Sequence, residues 1–256
     1  MPNSKKQTKA FTLVELLVAI LIIAILLAAA IPVIAMARSQ AKKTVCSSNL
    51  GQLGLAFSKY LNDYERKVFP LVNMELDTNN QWGKMYYFGY EPQIGYSMTQ
   101  GKRPLYRKYA KLFPYVKRYD SIEICPTFPY ASSQYKPKYN TKRITYGINS
   151  KLCVNLMNNQ IPVVDFDTYV GRAGNVLIFA DSAQVNAFQS PASPSNPAIE
   201  EWHCIEPGKP FVHFRHNRKA NVLFSDGCVL DIKADNRNLA RWPEFLVGKF
   251  SEEIRF

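Results

Sequence analysis

From Leu16 to Ala37 the chain runs for 22 residues without a formal charge, LLVAILIIAILLAAAIPVIAMA. At about 1.5 Å of rise per residue, a helix of that length is roughly 33 Å long, enough to cross the hydrocarbon core of a bilayer. Lys5, Lys6 and Lys9 stand before the run, and Arg38, Lys42 and Lys43 after it. The run predicts a membrane helix near the N-terminus. A secretory signal shares the basic start, and Ala28-Ala29-Ala30 imitates its small-residue cleavage site, but the stretch is too long for an h-region. Glu15 argues further against a signal. A carboxylate heading a lipid-buried helix is costly and usually functional, the bland alternative being a charge that snorkels at the membrane rim.

Charge decides less. The chain has 32 Lys and Arg against 20 Asp and Glu, a net +12, and without its first ten residues the side-chain balance is +9. This suits an anionic surface, DNA or an acidic polysaccharide. There is no long basic block of the kind a dedicated nucleic-acid tail carries, which argues against a nucleic-acid partner. Three Lys before the helix and three basic residues after it leave orientation nearly tied under the positive-inside rule. Cys46, Cys125, Cys153, Cys204 and Cys228 form no CxxC, and an odd number leaves at least one outside any internal disulfide. Their spacing selects no pairing.

Beyond Ala37 the helical pattern continues to about Tyr64. Cys46, Leu50, Leu53, Phe57, Tyr60 and Tyr64 recur every three or four residues, a one-sided stripe made to cover a hydrophobic sheet. From 65 to 140 the pattern weakens. Leu105, Tyr109, Leu112 and Phe113 suggest a short amphipathic helix, and SIEIC, ending at Cys125, a short strand. Trp82, Tyr86, Tyr87, Tyr90 and Tyr96 are either a stacking surface for sugars or bases, or core. TYGIN, ending at Asn149, and NVLIFAD, ending at Asp181, read as strands, and Gln189 to Pro197 as an exposed Pro-rich loop. Val222-Leu-Phe and Val229-Leu-Asp-Ile flank Asp226-Gly227, which predicts a two-residue hairpin with positive φ at both turn positions.

The segment KAFTLVELLVAILIIAILLAAAIP resembles the start of type IV pilins and type II secretion pseudopilins. The resemblance implies cleavage by a prepilin peptidase between Ala10 and Phe11, then methylation of the new amino group. Ala10 stands where the family usually has Gly. Glu15 and Pro32 fall at the fifth and twenty-second positions after the cut, where the family carries a Glu and commonly a Pro. In low dielectric Glu15 can neutralise the Phe11 ammonium of a neighbouring subunit or of its own. Pro32 is expected to kink or locally melt the helix. CSSNLGQLGLAFSKYLNDY and TYGIN resemble segments of related bacterial proteins. His216-x9-Asp226-Gly227 resembles the H-x9-DG motif that ends many pilin-like proteins, notably of the planctomycete and verrucomicrobial type.

The resemblance implies an α+β, pilin-like fold: a long N-terminal transmembrane helix packed on an antiparallel β-sheet, with irregular insertions. The expected organisation is a leader at 1–10, the transmembrane half-helix at 11–37, its amphipathic half at 38–64 and a globular β domain at 65–256. It also implies a cytoplasmic N-terminus, an extracytoplasmic globular part, and four partners: a prepilin peptidase, an N-methyltransferase function, like subunits and an inner-membrane secretion or pilus platform.

Other chemistry has candidates but no signature. His203, Cys204, His213, His216 and Asp181 could supply zinc, though spacing alone brings no three together. No EF-hand spelling marks calcium. His216 and Asp226, facing each other near a hairpin, suggest a charge-assisted bond that fixes the turn, the structural reading of that motif. No G-x-S-x-G, HExxH, Walker A or dinucleotide loop occurs, so no enzyme and no cofactor is expected. An enzyme would need a pocket uniting Asp181, His216 and Asp226. The alternative function is a membrane-anchored extracytoplasmic binding module, for polysaccharide, with Trp82 and its neighbouring Tyr residues on one concave face.

Overall fold

The computed structural model describes residues 12–76, 80–99, 101–116, 122–142, 144–153 and 164–256. The chain divides into two compact units, Met1–Ala41 and Lys42–Phe256. Helix α1 is assigned from Leu13 to Asp63.

In the first unit the helix opens on Thr12-Leu-Val-Glu15. Thr12 Oγ1 accepts from the Glu15 backbone N–H at 3.2 Å, and Glu15 Oε2 accepts from the Thr12 N–H and hydroxyl, each at 2.8 Å. This is a capping box, satisfying donors that the first turn would leave bare. The apolar side chains that follow are exposed: Leu16 by 57%, Ile25 by 60%, Ile31 by 68%. The helix is long and apolar enough to cross a membrane. Pro32 lies inside it, and helical assignment continues on both sides, so the local melting expected there does not occur. A proline removes one backbone donor; the flanking turns keep theirs.

In the second unit the amphipathic part of α1 buries Cys46, Leu50, Leu53, Phe57 and Tyr60, as their period predicts. Tyr64, the last member of the predicted stripe, is exposed and stacks on Tyr60 instead. The chain leaves the helix through Glu65 and Arg66, both at positive φ. Arg66 then forms a fork on Asp167 in α2 (Phe166–Ala173), at 2.8 and 2.7 Å. Asp165 caps α2, its carboxylate accepting from Thr168 N at 2.8 Å.

The stripe packs against a five-stranded sheet. Its strands are β4 (Tyr146–Asn149), β5 (Leu177–Asp181), β8 (Cys204–Ile205), β10 (Lys219–Phe224) and β11 (Val229–Lys233), in the order β11-β10-β5-β4-β8. All pairs are antiparallel except β4 with β8, so the sheet is mixed at one edge. The β10–β5 register shifts between Leu223 and Phe224, stepping past Ile178. This bulge lets Ile178 and Phe179 both join the cluster around α1, while Leu177, Val222 and Phe224 pack in a second cluster with Phe214. Phe57 meets the rings of Phe69, Phe166 and Phe179 edge-on at 5.6–6.0 Å. A Cβ on Gly54 would lie 2.7 Å from Leu223 Cδ2, and one on Gly147 would lie 2.9 Å from the Cys204 backbone carbon.

The middle region adds a meander of β1 (Asn73–Leu76), β2 (Trp82–Tyr86) and β3 (Gly89–Pro92). The proposed aromatic platform is not formed. Tyr86, Tyr87 and Tyr90 are buried and only Trp82 is exposed; the Tyr96 side chain lies outside the described residues. Burial wins because each buried phenol finds a partner, as with Tyr87 OH on the Tyr146 carbonyl at 2.6 Å. The amphipathic helix expected around Leu105–Phe113 is two short 3-10 turns, Arg107–Tyr109 and Phe113–Tyr115, separated by residues 110–112, with Pro114 in the first turn of the second. Cys125 sits in a loop, not a strand. Two further pairs complete the unit: β6 (Gln184–Asn186) with β7 (Ala198–Glu200), enclosing the Pro-rich loop, and β9 (Val212–His213) with β12 (Val247–Gly248).

Candidate functional site

Two places draw on the predicted functional residues. The first is the start of α1. Ala10 and Phe11 lie outside the described residues. Thr12 and Glu15 form the capping box, which holds the Glu15 carboxylate at the head of the helix. A carboxylate there is favoured by the helix dipole and suited to pairing with an ammonium. Thr12 was not singled out from sequence, although the T-x-x-E spelling is legible. Pro32 is an exposed member of the same helix.

The second place is a buried polar cluster at the end of β5. Asp181 and Ser182 follow its apolar run, and both are fully enclosed. The Arg215 guanidinium donates from Nη2 to Asp181 Oδ1 at 2.5 Å and from Nη1 to the Ser182 carbonyl at 3.2 Å. Arg215 Nη1 also donates to His213 Nδ1 at 2.9 Å, which places the His213 proton on Nε2. Asp181 Oδ2 accepts the Asn221 backbone N–H at 2.7 Å and lies 3.2 Å from His216 Nε2. The side chains of Asp181, Arg215 and His216 are at most 2% exposed. Arg215 also stacks over Phe128 at 5.4 Å and Tyr146 at 5.9 Å. Burial, then Arg215 and His216, push the His213 pKa well below the histidine range, so its ring is neutral. Arg215 and Asn221 carried no recognisable sequence signal, because their meaning depends on β5 and β10 being neighbours.

A disulfide lies against this cluster. Cys46 of α1 is bonded to Cys125, with Cα atoms 5.2 Å apart, and Cys125 Sγ is 3.5 Å from His216 Nε2. Cys153 and Cys204 are buried free thiols, and Cys228 is an exposed one. The bridge ties the helix to the loop before β4, where Thr145 Oγ1 accepts the Cys125 backbone N–H at 2.7 Å.

The expected bond between His216 and Asp226 is not made. The two residues flank opposite ends of β10, and His216 turns inward to Asp181 instead. Asp226 accepts from Asn175 Nδ2 at 2.7 Å and from Cys228 N at 2.9 Å, stitching the hairpin tip to the approach to β5. The tip itself differs from expectation. Gly227 has φ +84° but Asp226 does not adopt positive φ, and Phe224 N bonds the Cys228 carbonyl at 2.9 Å. The loop is therefore Ser225-Asp226-Gly227, three residues with the glycine left-handed, because the Asp226 side chain accepts the N–H two residues on. A two-residue turn with both φ positive does occur nearby, at Asn217-Arg218, closing His216 onto Lys219.

The zinc candidates divide as well. His213, His216 and Asp181 surround Arg215, whereas His203 packs its ring on Tyr86 and Trp202, and Cys204 faces Glu206 at 3.5 Å. Burial, with Lys138 and Lys84 near, lowers the His203 pKa well below the usual range. Among the described residues, the group of three metal-type ligands that converges is Cys46, Cys125 and His216. Asp226 and Gly227 line a different feature, an open groove of about 590 Å³ beside Ser48, Gly51, Gln52 and Leu55, which neither Asp181 nor His216 lines.

Residues 5–31 match the prokaryotic N-terminal methylation motif. No curated protein and no solved structure matches the chain. The matched segment includes Ala10, Phe11, Thr12 and Glu15, and is of the kind processed by prepilin peptidase in pilins and pseudopilins. Pro32 and the H-x9-DG residues lie beyond it.

Proposed function

We propose that this protein is a structural subunit of a type IV pilus or type II secretion pseudopilus type of assembly, cleaved before Phe11 and methylated there. The methylation motif at residues 5–31 carries the reading. The exposed apolar surface from Leu13 to Met36 supports it, because so continuous a hydrophobic helix needs lipid or like helices around it. Before assembly the helix stores the subunit in the inner membrane, with the leader cytoplasmic and the globular unit outside. On assembly it exchanges lipid for the helices of neighbouring subunits, and Glu15 pairs with a Phe11 ammonium. The Cys46–Cys125 bridge fits an oxidising, extracytoplasmic location for the second unit.

The subunit works without catalysis of its own; it stands and packs. Single cysteines placed at Val18 or Ile22, in a chain with Cys153, Cys204 and Cys228 replaced by Ala, should cross-link subunit to subunit in native membranes containing the assembly platform. Glu15→Gln should lower that yield several-fold. An unchanged yield with Gln would remove Glu15 from assembly, and absence of any adduct would contradict polymerisation.

A further inference from the structure

The disulfide and the imidazole beside it form one constellation. The Cys46 and Cys125 sulfurs and a His216 ring nitrogen all lie within 4.8 Å of one another, and all three residues are buried. A carboxylate adjoins the imidazole: Asp181 Oδ2 is 3.2 Å from His216 Nε2 and accepts the Asn221 N–H. We propose that the reduced chain uses these atoms as a metal site for a thiophilic dication of the zinc type. Cys46 Sγ, Cys125 Sγ and His216 Nε2 would be the three protein ligands, with the fourth position of the tetrahedron left open.

Charge and size both favour this. Beside the bridge the Arg215 guanidinium is balanced by the Asp181 carboxylate. Reduction of the bridge takes two electrons and two protons from a dithiol and leaves two neutral thiols. Binding the dication releases two thiol protons, and the two thiolates then balance its charge, so binding adds no net charge to the interior. Two thiolates without the cation would be an uncompensated buried pair, which is costly. Zinc–sulfur bonds of about 2.3 Å put tetrahedral sulfurs under 4 Å apart. Rotation about the cysteine χ1 bonds opens the pair to that separation without moving the backbone far, since the Cα atoms start 5.2 Å apart. His216 would bind through Nε2, the nitrogen that faces Cys125 Sγ at 3.5 Å. The same join between α1 and the loop before β4 is thus closed by a covalent bond in an oxidising compartment, and by a metal where thiols persist.

The test uses the full chain in detergent with Cys153, Cys204 and Cys228 replaced by Ala, so that the pair supplies every thiol. It is reduced with a phosphine, then titrated with Co²⁺ under argon. The expected result is one Co²⁺ per chain, with thiolate-to-cobalt absorption and the visible bands of a tetrahedral ion. Both should be lost completely when the bridge is left oxidised or Cys46→Ser is added. No thiolate absorption, or the same absorption with Cys46→Ser, overturns the site. Should that variant not fold, X-ray absorption of the zinc-loaded parent decides: two sulfurs and at least one nitrogen neighbour support the site, and a shell of nitrogen and oxygen alone overturns it.

Discussion

Replacing Asp181 by Ala leaves the Arg215 guanidinium enclosed with carbonyls and a neutral imidazole but no counter-charge. Breaking a buried pair on one side costs about 3–5 kcal/mol, so Asp181→Ala should lower the unfolding free energy of the globular unit by about 4 kcal/mol, read by denaturant titration of tryptophan fluorescence. His213 gives the pH dependence. Its folded pKa lies well below the unfolded one, so between the two the unfolded chain binds the extra proton. Stability is therefore full above the ordinary histidine pKa and falls as pH drops below it, by up to about 1.4 kcal/mol per pH unit for each such histidine. His203 adds in the same direction. His213→Gln should flatten the slope between pH 7 and 5, and an unchanged slope would mean that His213 already titrates normally.

At the scale of elements, close approach of backbones sets what can be substituted. A Cβ on Gly147 would meet Cys204 backbone at 2.9 Å, where β4 and β8 pair in parallel and neither can withdraw. Gly147→Ala should cost about 1–3 kcal/mol. Gly54→Ala meets only the tip of Leu223, which can turn aside, so its effect on thermal unfolding should be clearly smaller. Elements governed by local pattern were legible in the sequence. The outer α1 stripe follows its period down to Tyr60, and β4 and β5 fall where TYGIN and NVLIFAD placed them. What failed depended on distant neighbours. Tyr86, Tyr87 and Tyr90 look the same on a platform and in a core until their partners are known. His216 pairs with Asp181, 35 positions away, because β5 lies beside β10, whereas the sequence motif pointed to Asp226. The turn at Asp226-Gly227 was legible as a place, but not as a type, since the Asp226 carboxylate reshaped it.

For the whole molecule, the Cys46–Cys125 bridge spans 79 positions and joins the amphipathic helix to the sheet side of the core. Closing a loop of that length is worth about 4 kcal/mol by the chain-entropy argument. Metal-free reduction, under a chelator, should reduce stability by that order while leaving the apolar stripe in place. The methylation motif and the exposed apolar helix both point to processing before Phe11. The decisive measurement is the N-terminal mass of the protein purified from native membranes. A chain beginning at Phe11 and carrying one added methyl is the result predicted. A chain still bearing Met1 or Pro2 would contradict it, and would leave a membrane-tethered protein that never enters a filament.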